Sequence, residues 1–223
     1  MDKSRREAIK KGFLLFAGIA ATPVIAVGQN IEEVSGEKLL YPLPPGAISL
    51  DRFIEKCTAC QLCVNHCPTH VLTPALFENG IQGFMQPILK YDVHKFCEFE
   101  CKICSDVCPN EALVKMPIEE KKLVQIGQAK LILDNCIVVK NNKACGACAE
   151  HCPTKALKMV PYKGVITQPE IVDPDLCIGC GACESICPVH KEALYIERNI
   201  VHKIAKPPLV EKQEQKEITD FGF

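Results

Sequence analysis

Residues 57–68 read CTACQLCVNHCP, and residues 177–188 read CIGCGACESICP. Both have the spacing C-x2-C-x2-C-x3-C-P: Cys57, Cys60, Cys63 and Cys67 before Pro68, and Cys177, Cys180, Cys183 and Cys187 before Pro188. Working outward, two further groups keep this ending and lengthen the opening. Cys97, Cys101, Cys104 and Cys108 precede Pro109, with three residues in the first gap. Cys136, Cys145, Cys148 and Cys152 precede Pro153, with eight. The four runs use all 16 cysteines of the chain. Their Cys-Pro units lie 41, 44 and 35 residues apart and lead into the tails CPTHVL, CPNEAL, CPTKAL and CPVHKEAL. The chain is therefore a four-fold repeat, and the repeat unit is a loop that gathers thiols.

Two residues between cysteines let a tight loop curl until three thiolates converge. The spacing is that of bacterial [4Fe–4S] loops, in which the fourth cysteine reaches the other cluster of a pair. The following proline fixes φ and removes a backbone donor, which redirects the chain. Gly179, Gly181, Ala182, Gly146 and Ala147 let the backbone approach a cluster closely. Four runs with no cysteine left over predict four [4Fe–4S] clusters held by the 16 thiols. Zinc ribbons also pair C-x2-C units, but without a third cysteine and x3-C-P repeated four times. Disulfides need a limited range of Cα separations, which cysteines crowded into one tight loop do not offer. C-type haem has no C-x2-C-H site here.

The runs can pair as neighbours, first with second and third with fourth. They can also nest, first with fourth and second with third. Four-cluster subunits of membrane reductases nest, and nesting is the expectation. The first and fourth runs are read as the ends of a chain of clusters, with Cys60 and Cys180 as the ligands to probe. Segments before three runs predict short strands: 88–91, 130–133 and 170–172. The fold class is α+β, two ferredoxin-like modules of two clusters each, over residues 57–198. There is no Trp and there are 4 Tyr, so metal clusters take over part of a core's work.

Residues 1–28 open with the twin arginine Arg5-Arg6 in a basic segment, followed by an apolar stretch from Gly12 to Val27. This is a signal-segment layout, and the twin arginine predicts export by the Tat route, as cleaved peptide or retained anchor. Clusters are assembled in a reducing compartment, so a loaded protein should cross already folded. Residues 29–56 form a proline-rich lead-in, expected to be extended and partly polyproline II. Residues 199–223 form a mixed-charge tail expected to be mobile or to wrap the surface. The net charge is −1. Residues 1–28 carry five basic and two acidic side chains, so the remainder stands near −4. Nothing there favours nucleic acid or an anionic lipid surface. His66 and His151 precede the last cysteine of their runs and read as surface or shielding residues, not ligands.

The chain resembles the MauM/NapG-type ferredoxins. The resemblance rests on the twin-arginine start and on Pro44-Pro45-Gly46-Ala47 followed by Phe53. It also rests on the Cys97-x3-Cys101 opening, and on 128–134 (QAKLILD) before Asn135-Cys136 and an eight-residue gap. It implies an exported electron carrier with four [4Fe–4S] clusters ligated by all sixteen cysteines. Such a carrier works between a membrane quinol-oxidising subunit and a periplasmic reductase such as a nitrate reductase. No Gly-rich nucleotide loop, flavin fingerprint or nucleophile–base signature is present, so no catalytic residue is expected. The alternative is an iron–sulfur subunit or maturation factor of a redox enzyme complex.

Overall fold

The structure is a computed structural model. It describes residues 41–208 except 163, 165 and 172, and the backbone of 33–34 and 37–38. All belong to one unit, Glu32–Phe223. The twin-arginine segment and residues 209–223 of the tail lie outside the described residues.

The backbone opens with β1 (Glu33–Val34) paired antiparallel to β2 (Glu37–Lys38). Residues 41–47 follow without helix or strand, and all seven are buried. Prolines 42 and 44 fix φ in the first part of this stretch, which ends in a turn at Pro45–Gly46, closed by Ala47 N donating to Pro44 O at 3.1 Å. Its carbonyls are used by the fold: Pro42 O accepts from Leu89 N (2.8 Å) and Gly46 O from Val114 N (3.0 Å). Residues 41–47 of the lead-in are thus part of the core. Helix α1 (Leu50–Lys56) starts at Ser49, whose hydroxyl accepts from Arg52 N at 3.4 Å. Asp51 and Lys56 match the helix dipole, and Phe53 is fully buried.

Each cysteine run then adds one helical turn that carries its third thiol. These are α2 (Leu62–Asn65) and α3 (Ile103–Asp106), which pack together, and α6 (Ala147–Glu150) and α7 (Ala182–Ser185), which do the same. Between them lie α4 (Ile118–Lys121) and α5 (Ile137–Asn141). In every tail, the third residue after the last cysteine adopts a left-handed φ: His70 (51°), Glu111 (53°), Lys155 (57°) and His190 (52°). The tails therefore share one turn.

Three antiparallel ladders brace the runs. β3 (Leu72–Pro74) pairs with β4 (Pro87–Leu89), Leu72 opposite Leu89. β6 (Leu157–Tyr162) pairs with β7 (Ile166–Ile171). β5 (Val124–Leu131) pairs with β8 (Leu194–Ile204), with a bulge between Gln125 and Gly127. The predicted strands are found at 87–89 and 166–171. The third strand ends at Leu131, where a 3-10 turn (Leu133–Asn135) turns the chain into Cys136. β8 continues past Arg198 to Ile204, so the first part of the expected tail is strand. There it touches the N-terminal half: Ser49 bridges Val201, and Ile48 O accepts from His202 N at 2.7 Å. No helix among the described residues is long and apolar enough to cross a membrane.

Candidate metal centres

The sixteen thiols line four hollows, each of about 350 to 390 Å³ counted out to its mouth. The first is lined by Cys57, Cys60, Cys63 and Cys108, with Phe53, Pro87 and Leu113. The second is lined by Cys97, Cys101, Cys104 and Cys67, with Leu72 and Leu89. The third-run hollow has Cys136, Cys145, Cys148 and Cys187, with Leu131 and Val138. The fourth-run hollow has Cys177, Cys180, Cys183 and Cys152, with Ala129 and Ile196. Each run gives three thiols to its own hollow and its last thiol to a neighbour's.

This exchange corrects the nested pairing: the runs pair first with second and third with fourth. Local bonds explain why. In the N-terminal half Arg52 donates to Glu111 O (2.7 Å) and Ala112 O (2.9 Å), tying α1 to the second tail. Asn110 donates to Thr58 Oγ1 (3.0 Å), and Thr69 donates to Phe96 O (2.6 Å). Each tail is therefore fastened to the start of the other run. In the C-terminal half Asn135 donates to Glu192 O (2.8 Å) and Ile132 N to Ala193 O (2.8 Å).

The hollows adjoin in the order first, second, fourth, third. Cys63 lies within electrostatic reach of Cys104, and Cys148 within reach of Cys183. The two halves meet where Cys97 N donates to Cys180 O at 2.8 Å. Cys97 and Cys180 are close enough to repel one another as thiolates. Cys180 is consequently interior, which corrects its reading as an end ligand. The ends are the first-run and third-run hollows. Cys60 is the exposed cysteine of the sixteen.

Burial, followed by mutual repulsion, pushes Cys63, Cys148 and Cys180 up to about 12, with Cys104 and Cys183 also raised. For Cys180, the hydrogen bond from the Ala182 amide opposes the burial, and repulsion then adds to it. Such thiols ionise only as a cation replaces their protons. Backbone amides are already in place for the anionic form. Ala129 N points at Cys177 Sγ and Leu113 N at Cys108 Sγ, both at 3.4 Å. None of the sixteen is in a disulfide. No three candidate ligands among the described residues converge on a single-ion position. Four thiols spread around an apolar hollow suit a cubane with four irons better than one zinc. His66 and His151 are exposed, each placing Nδ1 near a carbonyl four residues back in the chain, at 2.8 and 2.9 Å, and they lie outside the thiol sets.

Several residues that shape these hollows were not visible in the motif. Buried Gln86 donates to Ile54 O and Cys57 O, both at 3.1 Å. Buried Gln125 does the same in the fourth run, to Pro174 O (3.1 Å) and Cys177 O (2.6 Å). Tyr91, buried between the halves, donates to Gly179 O at 2.5 Å. Lys121 is 3% exposed and lies against the second-run loop. Each acts across 22 to 88 residues, so no local pattern announces it.

Two family profiles match the chain. A 4Fe-4S dicluster domain covers residues 96–156 and 143–191, and a 4Fe-4S binding domain covers residues 53–73. "Ferredoxin-type protein NapG" of Escherichia coli (strain K12) is 28% identical over 209 residues, 87% of this chain and 86% of that one. "Methylamine utilization ferredoxin-type protein MauM" of Methylorubrum extorquens is 29% identical over 202 residues, 86% of this chain and 88% of that one. The chain is a homologue of the ferredoxin-type proteins NapG and MauM. "Ferredoxin-type protein NapF" of E. coli K12 is also similar, 25% identical over 146 residues, 66% of this chain and 79% of that one. The relatives and the thiol sets together identify an iron–sulfur protein of the ferredoxin type, suited to electron transfer.

Proposed function

We propose that the protein holds four [4Fe–4S] clusters, one per hollow, in two ferredoxin-like modules, and works as an exported electron carrier without catalytic chemistry of its own. The ligand sets are those of the four hollows named above. A cubane in each would supply one-electron storage at a potential set by charge, hydrogen bonds and exposure. The chain's residues supply the rest: apolar linings that exclude water, amides aimed at sulfur, and contacts that hold each set beside the next. The carrying observation is that contiguity. Four thiol sets adjoin in one file, with the two halves joined by the Cys97–Cys180 backbone bond.

By homology with NapG and MauM, electrons arrive from a membrane quinol-oxidising partner and leave toward a periplasmic reductase. These partners meet the first-run and third-run ends. The twin arginine supports the Tat route and a site at the outer face of the cytoplasmic membrane.

The test begins with anaerobically purified protein. It should contain about sixteen iron and sixteen acid-labile sulfides, four of each per cubane. Cys60→Ser and Cys145→Ser, one at each end, should slow quinol-driven turnover of the reductase and leave its activity with an artificial dye donor. About eight irons would refute the four-cluster reading. Loss of dye-driven activity as well would make the protein part of catalysis or maturation.

A further inference from the structure

The second run has three residues, Glu98, Phe99 and Glu100, where the first and fourth have two. Its longer loop turns two carbonyls inward, and both meet one side chain. Lys121 Nζ donates to Glu98 O and, at 3.0 Å, to Phe99 O. It also lies within electrostatic reach of Cys97 and Cys104. The side chain is 3% exposed. Among the described residues no carboxylate pairs with it. The nearby Glu100 and Glu119 are taken by Lys122, at 3.0 and 3.4 Å. A buried ammonium without a carboxylate is costly unless something anionic faces it. The groups within its reach that become anionic on binding a cation are Cys97 and Cys104, two of the four thiols of the second-run hollow.

We propose that Lys121 raises the reduction potential of the group held by this set, relative to what the same ligands would give without it. The proposal rests on the carrier reading. Taking one electron from an external reductant adds one negative charge to the group. A fixed cation in a low-dielectric site favours that added charge. The side chain acts by position and charge, not as a ligand.

The test is an anaerobic titration with dithionite, followed by electron paramagnetic resonance, on the intact protein. The signal is assigned by its change in Cys101→Ser. Lys121→Met and Lys121→Gln should lower that group's one-electron reduction equilibrium at least tenfold, or 59 mV, leaving the other three unchanged and the iron content full. Lys121→Arg should restore it. Unchanged potentials at full iron content would overturn the proposal. So would loss of this group's iron in both neutral variants, which would make Lys121 only a loop fastener. A wild-type protein with no reversible one-electron reduction would instead refute the carrier reading.

Discussion

The first and fourth cysteine runs share one spacing and one backbone path, yet differ at two matching positions. Ala59 and Gln61 have φ of 52° and 65°; Gly179 and Gly181, in the same places of the fourth run, have 75° and 79°. The left-handed turns belong to the loop itself. The glycines answer to the surroundings. A Cβ on Gly179 would lie 2.6 Å from the backbone N and O of Gly127, and one on Gly181 2.2 Å from the Tyr91 ring. In the first run Ala59 and Gln61 are only half-buried, Gln61 has room to donate to Met85 O at 2.6 Å, and Cys60 reaches solvent. The fourth run is interior, clamped between β5 and Tyr91, and only glycine fits both the turn and the space.

The largest expected effect follows directly. Gly179→Ala forces a methyl into the backbone of β5, so the fourth-run loop cannot close and about four irons should be lost per chain. Gly181→Ala should lose them too, but its obstacle is a side chain. Tyr91→Leu in the same chain should restore part of the iron, while it should not rescue Gly179→Ala. Equal rescue of both would show that crowding does not explain the glycines.

Next in size is the ligand exchange. Cys67→Ala should alter the signal of the group held by Cys97, Cys101 and Cys104 and leave that of Cys177, Cys180 and Cys183 intact. A change confined to the fourth-run group would restore the nested pairing and undo the order of hollows. Spacing declared the thiols, the four-fold repeat, the shared tails and the strands at β4 and β7. It was silent on pairing, because pairing is decided by Arg52, Asn110 and Thr69 acting over 27 to 60 residues. It was equally silent on the buried Lys121, Gln86 and Gln125, which look like ordinary polar residues until their partners are placed. The interior position of Cys180 follows from packing between halves, which no motif encodes.

A smaller effect concerns the seam between those halves. His202 lies on β8 beside Ile48, and neither ring nitrogen has a partner. Burial, and then repulsion from Arg198, lowers it from 6.5 to about 4. The folded protein therefore holds the neutral ring, and the unfolded chain takes the proton first. Stability is full above pH 6.5 and falls as pH drops toward 4, by roughly 3 kcal/mol at most. His202→Leu should flatten the melting temperature across that window. An unchanged acid limb would place the weak point elsewhere than the seam.

The smallest effect is the mirror of the largest. Ala59→Gly puts into the first run the residue that the fourth run requires. It relieves a left-handed alanine, a gain of about 1 kcal/mol. It also frees the unfolded chain, a loss of roughly 0.5–1 kcal/mol. The alanine side chain makes no hydrogen bond, so nothing else is removed, and the two contributions should nearly cancel. Iron content and the first-run signal should stay as in the wild type, and chemical denaturation under anaerobic conditions should shift by less than about 1 kcal/mol. Set beside Gly179→Ala, this gives opposite outcomes at matching positions on one backbone path. If Ala59→Gly also costs the first-run group its iron, the turn alone cannot be what the two runs share. The alanine would then be holding the loop through packing that the comparison leaves out, and the glycines of the fourth run would need a separate explanation.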